Sequence, residues 1–221
     1  MTPERFRKLC AALDRRQPDL TVLAENVHKS HNLSALLRTC DAVGIQAMHA
    51  VSDDGAVQHH HRVSGGSGRW VDVRVHASLE TACAELKAAG FDILAAHFSA
   101  TAVDFRSIDY TRPSAILLGS ELAGVSPAGA ALADRHIIIP MRGMVASLNV
   151  SVAAAVILYE AERQRNTAGL YAHSRLAPEA RARMLFEWCY PRVAAACRLN
   201  RSPYPPLDFE GELRRDPRSR P

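Results

Sequence analysis

Residues 136–160 constrain the fold more than any other stretch of this chain, reading HIIIPMRGMVASLNVSVAAAVILYE. Ile137, Ile138 and Ile139 form a β-branched run suited to a buried parallel strand. Pro140 ends the run, residues 141–146 make a loop around Gly143, and a long helix-forming segment follows from Ser147. A strand that empties into a loop at a helix N-terminus is where α/β proteins bind ligands. The first helical turn has unpaired N–H groups and the positive end of the dipole. Ser147, Asn149 and Ser151 sit at this junction. On spacing alone Ser147 reads first as a helix cap, with a ligand contact as the other reading.

The same alternation of apolar runs and helical patterns extends over the chain. Strand-like runs fall at 20–24, 45–51, 70–75, 91–98 and 115–118. Helices are expected over 3–16, 33–43 (capped by Asn32, closed by Gly44), 78–89, 126–133, 147–165 and 178–199. This order predicts an α/β fold, a Rossmann-like, mostly parallel sheet covered on both faces. Residues 1–18 form a basic N-terminal helix, 19–166 the central domain, and 167–221 a basic C-terminal helix with an irregular tail, mobile at its end. Residues 52–69 carry His59, His60, His61 and a glycine cluster, read as a solvated loop without a metal site or dinucleotide fingerprint.

Composition narrows the class. No apolar run nears the length of a membrane span, and the N-terminus has no secretory h-region. Five scattered cysteines, with no CxxC pair, fit a reduced cytoplasmic protein without disulfides or zinc. The net charge of +4 is modest, but the basic residues gather at the flanks. Arg5, Arg7, Lys8, Arg15 and Arg16 precede the first strand, and eight arginines, among them Arg163 and Arg165, fall in 163–201. Basic flanks around a neutral middle suggest a polyanion such as RNA.

Three strand ends carry candidate chemistry: 25–38, 119–124 and 141–149. They offer a guanidinium (Arg38), a carboxylate (Glu121), a hydroxyl (Ser147) and an amide (Asn149). GSELAG lacks the P-loop lysine, and no glycine fingerprint marks a nicotinamide site. On spacing alone Arg38 would pair with Asp41 on a solvated helix face.

NVHKSHNLSALLRTCDAVGI, LLGSELAGVS and IIIPMRGMVASLNVSVAAAVILYEA resemble the three motifs of the SpoU branch of SPOUT methyltransferases. RRQPDLTVL, DFRSIDYTRP and PYPPLDFEGEL are similar to the group in that branch that methylates the ribose 2′-hydroxyl of guanosine 18 in tRNA. The resemblance covers nearly the whole chain. It implies a C-terminal trefoil knot, although threaded chains are rare. It also implies S-adenosylmethionine held in the knot loops, tRNA as substrate, and a homodimer with active sites at the interface. Methylation of ribosomal RNA, or a catalytically silent RNA-binding module, are the other readings.

Matched to the family's motifs, Arg38 is the catalytic arginine, Glu121 the acidic residue of the second motif, Ser147 and Asn149 the polar pair of the third, and Asn32 a supporting asparagine. Cofactor contacts fall on Ala96, Gly119, Ile139 and Leu148, with Met141 and Gly143 nearby. Ala96 stands where close relatives have threonine, and Ser30 replaces a usual proline. Arg5, Arg7, Arg15, Arg16, Arg163 and Arg165 are expected to hold tRNA phosphates. No metal site is expected. Ala153–Ala155 are expected to let their helix pack closely on a second copy of the chain.

Overall fold

Strand β1 (Leu20–Glu25) is buried along its whole length, and the sheet extends from it in both directions. The computed structural model describes residues 1–52 and 69–214. After helix α1 (Pro3–Asp14) and β1 come α2 (Ser30–Ala42), β2 (Ala47–Val51) and β3 (Asp72–His76). Then follow α3 (Leu79–Ala88), β4 (Asp92–Ala96), β5 (Val103–Asp104), β6 (Ser114–Leu118), α4 (Pro127–Leu132), β7 (Arg135–Ile138) and α5 (Val150–Thr167). Two helices, α6 (Pro178–Cys189) and α7 (Pro191–Leu199), precede the tail. Two compact units result: residues Gln17–Leu170, and Met1–Arg16 together with the chain from Tyr171 on.

In the larger unit all seven strands are parallel, in the order β3-β2-β1-β6-β4-β7-β5. The chain winds one way from β1 to β3, then returns, and β6 inserts between β1 and β4. That reversal makes the carboxyl ends of β1 and β6 the switch point of the sheet, where open α/β folds leave a crevice.

Alternate residues of each strand face opposite layers. Val22, Ala24 and Ile116 pack under α2 and α5, against Leu33, Leu36, Leu37, Cys40, Ala154, Ile157 and Leu158. Leu23, Ala115 and Leu117 face α3 through Leu79, Ala82, Cys83 and Leu86. Each fully buried leucine, such as Leu36, contributes roughly 1.5–3 kcal/mol.

Several boundaries differ from expectation. Helix α2 begins three residues earlier, and Lys29 rather than Asn32 stands at its N-cap, without a side-chain cap bond. Asn32 is buried in the first turn, with its amide committed elsewhere. The cap of α5 is Asn149, whose Oδ1 accepts the Ser151 N–H, and Ser147 lies outside the helix. The expected C-terminal helix breaks at Tyr190–Pro191, because proline cannot donate an N–H and biases the preceding residue out of the helical region; Tyr190 has φ −132°. Residues 99–113 hold β5 and a 3-10 turn at Phe105–Ser107, too short to give a periodic signal. Of the three isoleucines near β7 only Ile137 is fully buried, since β7 lies one strand from the sheet edge. Ala154 packs into its own chain's core, so close packing on a second copy is not its role. The three histidines and the glycine cluster lie outside the described residues.

In the smaller unit Leu9 and Leu13 of α1 are buried, and Arg181 Nε donates to Asp14 Oδ1 at 2.6 Å. The tail is docked through residue 214. Tyr204 stacks on Phe186 with centroids 4.6 Å apart, and Tyr190 Oη donates to Gly211 O at 2.9 Å. Gly211, at φ 81°, lies so close to Phe6 that a Cβ would come within 2.2 Å of the ring.

Candidate active site at the switch point of the sheet

Where β1 ends, Asn26 adopts a left-handed conformation (φ 53°) and turns the chain toward α2. This connection and the loop after β6 meet. Lys29 Nζ pairs with Glu121 Oε2 at 2.8 Å, and Asn32 Nδ2 donates to Glu121 Oε1. Asn149 Nδ2 in turn donates to Asn32 Oδ1 at 3.3 Å. The amide orientations follow from chemistry. An ionised carboxylate only accepts, so Asn32 turns Nδ2 toward Glu121 and Oδ1 toward Asn149. Asn149 then faces Asn32 with its own Nδ2, which leaves its Oδ1 to cap Ser151. One chain of bonds thus joins all three polar strand ends.

Lys29 and Asn32 hold the Glu121 carboxyl below the usual carboxylate range, the Lys29 bond being the larger cause and desolvation opposing it. Glu121 is therefore an anion at neutral pH. Arg38 lies further along α2. It is exposed and makes no hydrogen bond or ion pair among the described residues; the expected pairing with Asp41 is absent. Ser147 is also exposed, and no bond among the described residues ties it to the network. The structure therefore brings Asn32, Glu121 and Asn149 together, while Arg38 and Ser147 stand outside this network among the described residues.

The loop after β6 is tight. Ser120 and Gly124 exchange backbone bonds of 3.0 and 2.9 Å. A Cβ at Gly119 would come within 1.9 Å of Gly124 O, so only glycine fits. Ala96, Gly119 and Ile139 stand at or just past the carboxyl ends of β4, β6 and β7. Met141, Gly143 and Leu148 continue the loop between β7 and α5. A cavity of about 500 Å³ lined by Thr101, Asp134 and His136 lies at the opposite, amino end of β7 and is no part of this cluster.

The expected phosphate contacts divide. Arg5, Arg7 and Arg15 are exposed, and Arg163 is exposed while pairing with Glu160 at 2.7 Å. Arg16 is only 2% exposed, its guanidinium 5.0 Å from the Trp188 ring centroid, so it is not a surface cation. Arg165 is 0% exposed and its donors are spent on Gln17, Asp19, Tyr110 and Arg112. Both burials correct the sequence reading, which expected Arg16 and Arg165 to hold tRNA phosphates. Sequence reasoning also passed over Lys29, although it lies inside the HKSHN string beside Asn32.

The switch point of this parallel sheet carries a carboxylate–amide network, at the strand ends where open α/β folds leave a crevice. Residues 19–159 match the SpoU rRNA Methylase family, and residues 163–216 match SpoU, rRNA methylase, C-terminal. The chain belongs to the SpoU methylase family. The tRNA (guanosine(18)-2'-O)-methyltransferase of Escherichia coli (strain K12) is 50% identical to it over 218 residues, 98% of this chain and 95% of the relative. The crystal structure of the A. aeolicus TrmH/SpoU tRNA modifying enzyme superposes with a TM-score of 0.79 at 41% identity, covering 86% of this chain and 97% of that one. The SpoU methyltransferase AviRb from Streptomyces viridochromogenes, solved with the cofactor AdoMet, gives a TM-score of 0.60 at 27% identity, over 70% of this chain and 62% of that one. The resemblance read from the three motifs is borne out.

Proposed function

We propose that this chain transfers a methyl group from S-adenosylmethionine to the ribose 2′-hydroxyl of guanosine 18 in tRNA. The observation that carries this reading is the Lys29–Glu121–Asn32–Asn149 network, in a chain half identical to an enzyme named for that activity. The strand ends suit a nucleoside-like cofactor. Ala96, Gly119, Ile139, Met141, Gly143 and Leu148 offer backbone polar groups and small or apolar side chains, with no phosphate-binding lysine among them. When bound, S-adenosylmethionine supplies an electrophilic methyl group on a sulfonium.

As the ribose oxygen bonds to that methyl carbon, the carbon–sulfur bond would break to leave a neutral thioether, and the hydroxyl proton would pass to water. Arg38 holds a substrate phosphate and stabilises the developing alkoxide. A guanidinium keeps its proton in proteins and is a poor base, so its role is electrostatic. Glu121, held ionised by Lys29 and Asn32, fixes the loop that carries Gly119. Asn149 and Ser147 align the ribose, and alignment alone can lower a barrier by roughly 7–11 kcal/mol in the best cases.

Arg5, Arg7, Arg15 and Arg163 hold tRNA phosphates, and the terminal segments 1–18 and 167–221 serve as RNA-holding appendages of domain 19–166. The loops after β6 and β7 form the family's trefoil knot. A second copy covers the apolar groups on α5 and the site loops: Val152, Val156 and Tyr159, with Leu122 and Met144. Sedimentation equilibrium checks that dimer. No helix is long and apolar enough to cross a membrane, and the enzyme works in the cytoplasm, where tRNA is. Among the described residues no group of three or more His, Cys, Asp or Glu side chains is placed to hold a metal ion.

The test is transfer of tritiated methyl from S-adenosylmethionine to total tRNA and to ribosomal RNA, followed by mapping. Label confined to guanosine 18 of tRNA supports the reading. Label on ribosomal RNA, or none despite cofactor binding, overturns it.

A further inference from the structure

Glu25 is a carboxylate that the proposed chemistry leaves unused. It is the last residue of β1 and is 5% exposed, and no cation among the described residues pairs with it. Its Oε2 accepts the backbone N–H of Ser126 at 3.0 Å. Gly129 makes room for it: a Cβ there would come within 3.1 Å of Oε2 and 2.9 Å of the Val125 side chain. A buried carboxylate without a cation is unfavourable, and an apolar residue of similar size would serve packing better.

What Glu25 holds is the far end of residues 119–125. Ser126 closes that loop and caps α4 through the Gly129 N–H at 2.9 Å. The tip of the loop, Glu121, is held by Lys29 and Asn32. Base and tip are therefore both anchored to one stretch of chain, from the end of β1 to the first turn of α2.

We propose that Glu25 is a positioning residue that fixes this loop, and with it the Gly119 contact, for S-adenosylmethionine. The inference rests on the cofactor assignment above. A loop held in its binding conformation loses less freedom when the ligand arrives, so the expected effect is on cofactor affinity.

The experiment compares the full-length wild type, Glu25→Gln and Glu25→Ala. Calorimetry gives the Kd for S-adenosylmethionine, and steady-state kinetics give kcat and both KM values. Glu25→Ala should raise Kd and KM for the cofactor about tenfold, with kcat at saturation within about twofold and KM for tRNA unchanged. Glu25→Gln keeps an oxygen acceptor and should stay within about twofold of wild type. A purely structural role would lower Tm without moving cofactor affinity. A folded Glu25→Ala with wild-type Kd overturns the proposal, as does a Glu25→Gln as impaired as Glu25→Ala. Should Glu25→Ala not fold, Gly129→Ala, which presses on Oε2, must raise the cofactor Kd; an unchanged Kd is the overturning result. The calorimetry needs no tRNA. A wild type that binds cofactor yet leaves guanosine 18 unmodified sinks the tRNA assignment and not this one.

Discussion

The guanidinium of Arg165 makes five hydrogen bonds to described residues, whereas that of Arg38 makes none and stands in solvent. Arg165 Nε donates to Tyr110 O at 2.8 Å, and its terminal nitrogens reach Gln17, Asp19 and Arg112. All five N–H groups are used. A saturated guanidinium cannot also hold a phosphate; a solvent-exposed one can. Arg165 ties the start of β1, the connection before β6, and α5 together, while Arg38 is the one proposed to meet the substrate. The same contrast separates Arg165 from Arg163, two positions away on α5, which is exposed and pairs only with Glu160 at the described surface.

The contrast predicts a graded series. Arg165→Ala removes five donors from the interior at once, those to the Gln17 amide, the Asp19 carboxylate and the carbonyls of Tyr110, Asp19 and Arg112. It should destabilise by about 3–5 kcal/mol, read from urea unfolding. A loss under about 1 kcal/mol, or a folded variant with weakened tRNA binding alone, would return Arg165 to the RNA-binding set.

A smaller loss is expected from a second buried polar pair. His49 Nδ1 lies 2.8 Å from His76 Nε2, and burial, with His76 next, lowers the His49 pKa to about 4. The folded pKa is below the unfolded value, so the unfolded chain binds more protons between them. The contribution is complete above about pH 6.5 and is lost as pH falls toward about 4, by at most ~3 kcal/mol. His49→Gln should flatten the Tm-versus-pH curve in that window. An unchanged slope would show that His49 does not titrate on unfolding.

The smallest effects belong to the exposed arginines. Arg163→Ala should leave the urea unfolding midpoint close to wild type, as loss of an exposed i,i+3 surface pair does. Neutralising Arg5, Arg7 and Arg15 should weaken tRNA binding and make its salt slope shallower by about 0.7–0.9 for each phosphate that is no longer neutralised. An unchanged slope would remove them from the interface.

The sequence carried the sheet well because strand and helix periodicities were strong at 20–24, 78–89 and 115–118. It failed where a local signal had a distant competitor. Asn32 looked like a helix cap because asparagine favours that position, yet Glu121, far away in sequence, takes its amide. Arg165 looked like a surface charge because its partners, from Gln17 to Arg112, come from other elements. Strand β5 has two residues and no period to read. That Asn32, Glu121 and Asn149 belong to one cluster was legible through the motifs. The Lys29 pair and the Glu25 brace were not, because both depend on where two loops meet.

The most direct test of the account is Arg38→Ala, assayed for cofactor affinity, Tm and turnover on tRNA together. Arg38 supports neither the core nor the network, so Tm should hold and Kd for S-adenosylmethionine should stay within about twofold. Turnover should fall by about 10²–10³, as when an electrostatic stabiliser is removed. Wild-type turnover in a folded Arg38→Ala, or a loss explained entirely by weaker cofactor binding, would contradict the assignment of Arg38 to the reacting oxygen.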